Sequence, residues 1–184
     1  STVATVTEIY DYMRVLFARA GIPYSPFTGK QIKSQSVAEI VDRIKKLPHK
    51  NTIYLLSPIV RGRKGEYKKE IMSYKRRGFQ RVKVDGEYYN IEKFPELNKK
   101  IKHDISIVVD RIVLNANLGN RLADSIETAL NLSSGLLVAE YENETVPKKF
   151  RKTESITFSS KFSCPESGFT IEEIEPRLFS FNSP

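Results

Sequence analysis

The chain has 184 residues, 40% apolar and 10% aromatic, enough to bury a core in one domain or a domain with an appendage. Its single cysteine, Cys164, excludes an intrachain disulfide and points to a reducing compartment, and no apolar run approaches the ~20 residues of a membrane span. The formal net charge is +8, and Ser57–Lys83 alone, with ten Lys/Arg against two Glu, carries a surplus of that size, so a partner attracted by charge should meet this segment first.

In chain order, Thr5 and Glu8 form a capping-box pattern ahead of Val6, Ile9, Tyr10, Met13, Leu16 and Phe17 at helical spacing. Gly21-Ile-Pro23 should stop that helix. Ser36 and Glu39 repeat the device before Val37, Ile40, Val41, Ile44 and Leu47. Thr52 to Val60 reads as a strand. A further helix is predicted from about Gly65 to Arg77, with Tyr67, Ile71 and Tyr74 inward and Gly78 as its C′ residue. The Lys75-Arg76-Arg77 cluster also suits the negative end of that helix dipole.

Phe79–Val84 and Glu87–Ile91 predict a hairpin around Asp85-Gly86, the strongest short turn signal in the chain. Alternation places Val82 and Val84 on one face, with Arg81 and Lys83 on the other beside Phe79. Ile105–Leu114 is apolar on both faces, as a central strand would be, with Asp110 and Arg111 as polar intrusions. A helix over Leu118–Leu130 and a strand over Leu136–Tyr141 follow, and the polar Glu142–Thr153 tract reads as a flexible loop. The expected class is α+β, a mixed sheet with packed helices. The chain opens on Ser1 without a Met and closes on the apolar Arg177–Pro184, as expected of a piece of a longer polypeptide.

No enzyme assembles from these residues. His49 and His103 sit in polar stretches without a patterned Ser, Cys or Asp partner, and both read as surface histidines. Arg61-Gly-Arg-Lys-Gly65 has glycines but lacks the spacing and ending of a phosphate-binding P-loop. The carboxylate pairs Glu140/Glu142 and Glu172/Glu173 have no neighbouring feature that would split their pKa values. Ser25-Pro-Phe-Thr-Gly29 and Cys164-Pro-Glu-Ser-Gly168 share a frame in which two Cys-x-x-Cys turns would supply four thiolates to zinc. Here Ser25, Thr28 and Ser167 leave Cys164 alone, so the frame reads as a metal site that has been lost.

Taken together, Ser57-Pro-Ile-Val-Arg-Gly-Arg-Lys-Gly65, Gly78-Phe-Gln-Arg-Val-Lys-Val-Asp85, Val108-Val-Asp-Arg111 and Arg121-Leu-Ala-Asp-Ser-Ile-Glu-Thr-Ala-Leu130 resemble the UvrB-binding domain of the UvrA family. These are the damage-sensing ATPase subunits of bacterial nucleotide excision repair. Ser1–Tyr12 is similar to the segment after the Q-loop of the family's first ATP-binding domain. Phe158-Ser-Ser-Lys-Phe162 and Glu175–Pro184 are similar to the return into its signature domain. The resemblance divides the chain into a signature-domain helix with half a degenerate knuckle (1–29), a UvrB-binding domain (30–155) and a return with the other half (156–184).

The resemblance also implies what the chain does. The family's Walker and signature motifs lie outside this span, so ATP and Mg belong to the full-length protein and the piece itself is not expected to be an enzyme. Zinc is not expected at Ser25, Thr28, Cys164 and Ser167. The implied partner is UvrB, with Arg81 and Arg111 carried over as contacts. DNA binding, homodimerisation, a cytoplasmic location and a place in the SOS response are implied for the full-length protein. A second reading sets Arg61, Arg63, Lys64, Lys68, Lys69, Arg76, Arg77 and Lys83 along a DNA backbone. Docking ranks first, because Tyr67 and Tyr74 read as core residues rather than stacking platforms.

Overall fold

In the computed structural model, residues 3, 7–24, 29, 31–47, 51–115, 118–142, 152–163, 170–171 and 179 are described. The knuckle positions Ser25, Thr28, Cys164 and Ser167, together with His49 and nearly all of the Glu142–Thr153 tract, lie outside them. The chain divides into two compact units, one of Gln35–Ser160 and the other of Ser1–Ser34 with Lys161–Pro184.

In the second of these, helix α1 (Ile9–Ala20) starts three residues later than the capping-box pattern predicts. Glu8 takes a left-handed φ of 60° and caps nothing, so the helix begins without side-chain help. None of its residues is buried, although the Phe17 ring lies 5.8 Å from that of Phe179. Short strands β7 (Phe162–Ser163) and β8 (Thr170–Ile171) pair antiparallel in the same unit.

The larger unit opens as its sequence predicts. The Ser36 hydroxyl accepts the Glu39 N–H at 3.3 Å, and the Glu39 carboxylate accepts the Ser36 N–H at 2.7 Å, a closed capping box for α2 (Val37–Lys45). The remaining elements are β1 (Thr52–Lys64), α3 (Lys68–Arg76), β2 (Arg81–Val84), β3 (Glu87–Asn90), a 3-10 turn (Ile91–Lys93), β4 (Lys102–Val113), α4 (Arg121–Leu132), β5 (Leu136–Glu142) and β6 (Thr153–Ser159). The strands form one sheet in the order β3-β2-β4-β1-β5-β6, antiparallel at every pairing. The class is α+β.

Helices α2, α3 and α4 cover one face of the sheet. Ile40 and Ile44 of α2, with Leu122, Ile126 and Ala129 of α4, pack on Ile53, Leu55, Ile112, Leu137, Ala139 and Phe158. Ile71 of α3 packs on Val60, Val82, Val84, Ile105 and Ile107. In β4 the inward residues change from odd (Ile105, Ile107) to even (Asp110, Ile112). A β-bulge causes this: Leu55 faces Asp110 and Leu56 faces Val108, leaving Val109 unpaired. That bulge is why the strand reads as apolar on both faces.

Several local expectations change. β1 runs four residues past Val60 to Lys64, because register shifts around Gly62 (φ 56°) absorb the glycine rather than ending the strand. Helix α3 starts at Lys68, after Tyr67 in a left-handed conformation (φ 53°), not at Gly65. Gly78 (φ 94°) follows it as predicted. Phe79 packs with the Val82–Val84 cluster rather than beside Arg81. His103 is not a surface residue. It lies in β4 at 3% exposure, its Nδ1 2.7 Å from the Asp85 carboxylate and its Nε2 3.0 Å from the Asn98 carbonyl oxygen. Both neighbours are acceptors, an arrangement that the doubly protonated imidazolium satisfies and that raises the His103 pKa. The ring pins the hairpin turn to the edge of β4.

Candidate functional site

The face of the sheet without helices carries the polar alternates of each strand. Register sets Arg111 of β4, Tyr54 of β1 and Glu140 of β5 in one row, and Tyr88 of β3 opposite Lys83 of β2. In a flat sheet β3 and β5 would lie four strand spacings apart, about 19 Å, beyond the combined reach of a tyrosine and a glutamate. Yet the Tyr88 hydroxyl donates to Glu140 Oε2 at 2.6 Å, and the Tyr54 and Tyr88 rings are 5.3 Å apart. The sheet is therefore curled, with this face on the inside.

Three side chains close the curl. Lys83 Nζ pairs with Glu140 Oε1 and sits 5.4 Å from the centre of the Tyr88 ring. Glu140 is 7% exposed, so its charge is both desolvated and matched. Burial, followed by the hydrogen bond to the Glu140 carboxylate, pushes the Tyr88 hydroxyl far above the usual phenol range and keeps it a donor. Leu56 and Val108 are buried on the same face.

A cavity of about 550 Å³ opens over this network, lined in part by Tyr54, Arg81, Tyr88, Arg111, Glu140 and Glu142. Arg111 donates from Nε to the Tyr54 hydroxyl at 3.2 Å, its guanidinium carbon 5.9 Å from the Tyr54 ring centre. Arg81 is exposed and has no hydrogen bond or ion pair among the described residues. With Lys83 and Glu140 matched to each other, two arginines face one remaining carboxylate, Glu142. The cavity is suited to a partner presenting carboxylates.

Behind it, on the helical face, Asp110 fixes the register of Arg111. Its carboxylate receives Arg121 at 3.0 and 2.8 Å, the Ser125 hydroxyl at 2.8 Å and the Arg111 N–H at 2.8 Å. Burial acts to raise the Asp110 pKa, but these donors outweigh it and hold the carboxyl below its ordinary value. Among the described residues no group of three or more His, Cys, Asp or Glu could hold a metal ion. Nor does any described helix have the length and apolarity to cross a membrane.

The basic segment that looks continuous in sequence is split by the sheet. Arg81 lines the cavity, and Lys83 lies on the same face of the sheet, already paired to Glu140. Lys68, Lys69 and Arg76 line the outer side of α3, on the helical face, with Met72 and Lys75. Arg77 lies over the Tyr74 and Phe79 rings at 5.4 and 5.9 Å. Arg61, Arg63 and Lys64 run along the far end of β1.

Two further residues of the cavity carry sequence signals. Counting back from the two-residue Asp85-Gly86 turn sets Tyr88 opposite Lys83. Alternation through β5 sets Glu140 opposite in facing to Ala139 and Tyr141. What periodicity could not supply is the curl that brings them together.

A family model described as the UvrA interaction domain matches residues 35–143. UvrABC system protein A of Mesorhizobium japonicum is 59% identical over 195 residues, and that of Rickettsia prowazekii 58% over 186. The Brucella abortus (strain 2308) protein is 57% identical over 196 residues. Each alignment takes in 100% of this chain and 20% of the relative, so the chain spans about a fifth of the length of the curated relatives it matches. With the family model covering more than half of its residues, the chain belongs to the UvrA family, and the part of the sheet bearing Arg81 and Arg111 falls within the interaction domain.

Proposed function

We propose that the inside of the curled sheet is the surface on which UvrB docks, within a damage-sensing protein of nucleotide excision repair. One observation carries the reading. Arg81 and Arg111, on different strands and thirty positions apart in sequence, line a single cavity whose other charges are largely matched. Two guanidinium groups facing one carboxylate, Glu142, suit acidic side chains of a partner, with electrostatics setting encounter rate and register. On this reading the chain is a docking module and not itself an enzyme. ATP and Mg, DNA held by the assembled protein, homodimerisation and a cytoplasmic location belong to the longer family member. The degenerate knuckle holds no zinc, which metal analysis of the purified chain checks.

The deciding experiment is titration of the chain with UvrB, without nucleotide, by calorimetry at two salt concentrations. Arg81→Glu and Arg111→Glu should each remove most of the binding while circular dichroism is unchanged, since like charges set across an interface cost several kcal/mol. Affinities within about threefold of the parent, under ~1 kcal/mol, for both reversals would refute the assignment.

A further inference from the structure

We infer that Tyr54 is a positioning residue of the cavity: standing between Arg111 and Glu140, it keeps the Arg111 guanidinium off that carboxylate and turned toward a partner's. Its part in recruitment rests on the docking reading, whereas the placement it imposes on Arg111 can be read in the chain alone.

The register creates a competition within the site. Tyr54 of β1 faces Arg111 of β4 on one side and Glu140 of β5 on the other. Arg111 and Glu140 are therefore two strand spacings apart, about 10 Å between backbones. The two side chains can jointly span that gap, and the curl shortens it. Glu140 is buried, and a carboxylate taken out of water attracts any guanidinium within reach. With a small residue at position 54, Arg111 would fold back onto Glu140 and compete with Lys83.

Tyr54 prevents this from both sides. Its ring packs 5.3 Å from that of Tyr88, whose hydroxyl donates to Glu140 Oε2 at 2.6 Å, while Lys83 takes Oε1. Both carboxylate oxygens are thus occupied behind an aromatic pair. On the Arg111 side, the Tyr54 hydroxyl accepts the Nε–H at 3.2 Å. The guanidinium carbon, 5.9 Å from the ring centre, is at the outer limit of a cation–π contact, so the hydroxyl bond does most of the orienting.

Using Nε has a chemical consequence. The remaining guanidinium N–H groups, on the two Nη atoms, have no partner among the described residues. Held by Nε, the guanidinium presents its end, where one carboxylate can accept two parallel hydrogen bonds. Asp110, which accepts the Arg111 backbone N–H at 2.8 Å, fixes where the residue sits; Tyr54 fixes where its side chain points.

The test joins two measurements on the chain, with folding checked by circular dichroism. In heteronuclear NMR of the arginine side chains, the Arg111 Nε–H resonance is identified by its loss in Arg111→Lys. Tyr54→Val removes the ring but keeps a strand-forming residue, so in that background Glu140→Gln should move the resonance at least about twice as far as in the parent. Tyr54→Phe keeps the ring, and there the response to Glu140→Gln should match the parent's. In calorimetric titration with UvrB, Arg111→Ala should weaken binding at least about tenfold in the parent but less than about threefold in Tyr54→Val, while Arg81→Ala costs the same in both.

Equal responses of the resonance in the parent and Tyr54→Val would overturn the inference, as would an Arg111→Ala cost that is the same in both backgrounds. If Tyr54→Val does not fold, Tyr54→Phe decides: a response larger than the parent's overturns the inference, and an equal one upholds it. If neither Arg81→Ala nor Arg111→Ala weakens UvrB binding to the parent, the docking reading fails, and the resonance by itself decides whether Tyr54 screens Arg111 from Glu140.

Discussion

Replacing Lys83 by methionine tests whether the Lys83–Glu140–Tyr88 contact closes the curled sheet. The Lys83 and Glu140 side chains are 20% and 10% exposed, so the substitution strands a carboxylate that solvent barely reaches. Deleting one partner of a buried pair costs roughly 3–5 kcal/mol. One-fifth exposure of Lys83 and the surviving Tyr88 hydrogen bond reduce that, giving an expected loss of about 2–3 kcal/mol. Adding Glu140→Gln removes the stranded charge yet leaves an acceptor for Tyr88, and should recover all but about 1 kcal/mol. The chain has no tryptophan but nine tyrosines, so urea unfolding is followed by tyrosine emission and far-ultraviolet circular dichroism. At about 2 kcal/mol/M, the single variant should lower the midpoint by roughly 1 M. A single variant within ~0.5 kcal/mol of the parent, or a double variant no better than the single, would show that the contact does not hold the curl.

The His103–Asp85 contact predicts a pH profile. The Asp85 hydrogen bond, then that to the Asn98 carbonyl, raises the His103 pKa against the effect of burial. Its stabilisation is therefore complete below the ordinary value of 6.5 and lost as pH rises through the raised folded value. Burial pushes the Asp85 pKa up, but bonds from His103 and the Asp104 N–H bring it below 3.8, so that share is present above 3.8 and lost as pH falls through the lowered folded value. Thermal melts from pH 7 to 9 should show the parent losing stability relative to His103→Gln; parallel profiles would contradict the doubly protonated ring. Ser36→Ala, which opens the α2 capping box, should cost about 1 kcal/mol in urea unfolding, and an unchanged midpoint would mean that the box does not set the helix start.

Local chemistry was the legible part of this fold. Ser36/Glu39, Asp85-Gly86 and Gly78 each mark a boundary that depends on hydrogen bonds or φ angles within a few residues, and each marks one in the structure. The misreadings have non-local causes. His103 reads as a loop residue because its partners, Asp85 and Asn98, come from other turns of the chain. β6 carries few strand signals in Thr153-Glu-Ser-Ile156, and pairing with β5 supplies its conformation. At the candidate site, alternation finds the facing of Arg81 but not that of Arg111, because the Val109 bulge resets the parity of β4 just before it. The division of one basic segment between two faces was hidden because the packing of α3 and β2 on the sheet, not their sequence, decides it. Charge counts along a chain carry no information about which side of a sheet receives them.

The contact that closes the curl joins residues 52 and 57 positions apart, and such closure comes late for a chain assembling its sheet. Pairing of β2 with β4 brings Arg81 and Arg111 to neighbouring strands, but the β5 wall of their cavity closes over them only when Lys83 and Tyr88 meet Glu140. On the docking reading, a partner that engages both arginines would bind only copies whose sheet has assembled, so that recruitment would report on folding as well as on surface.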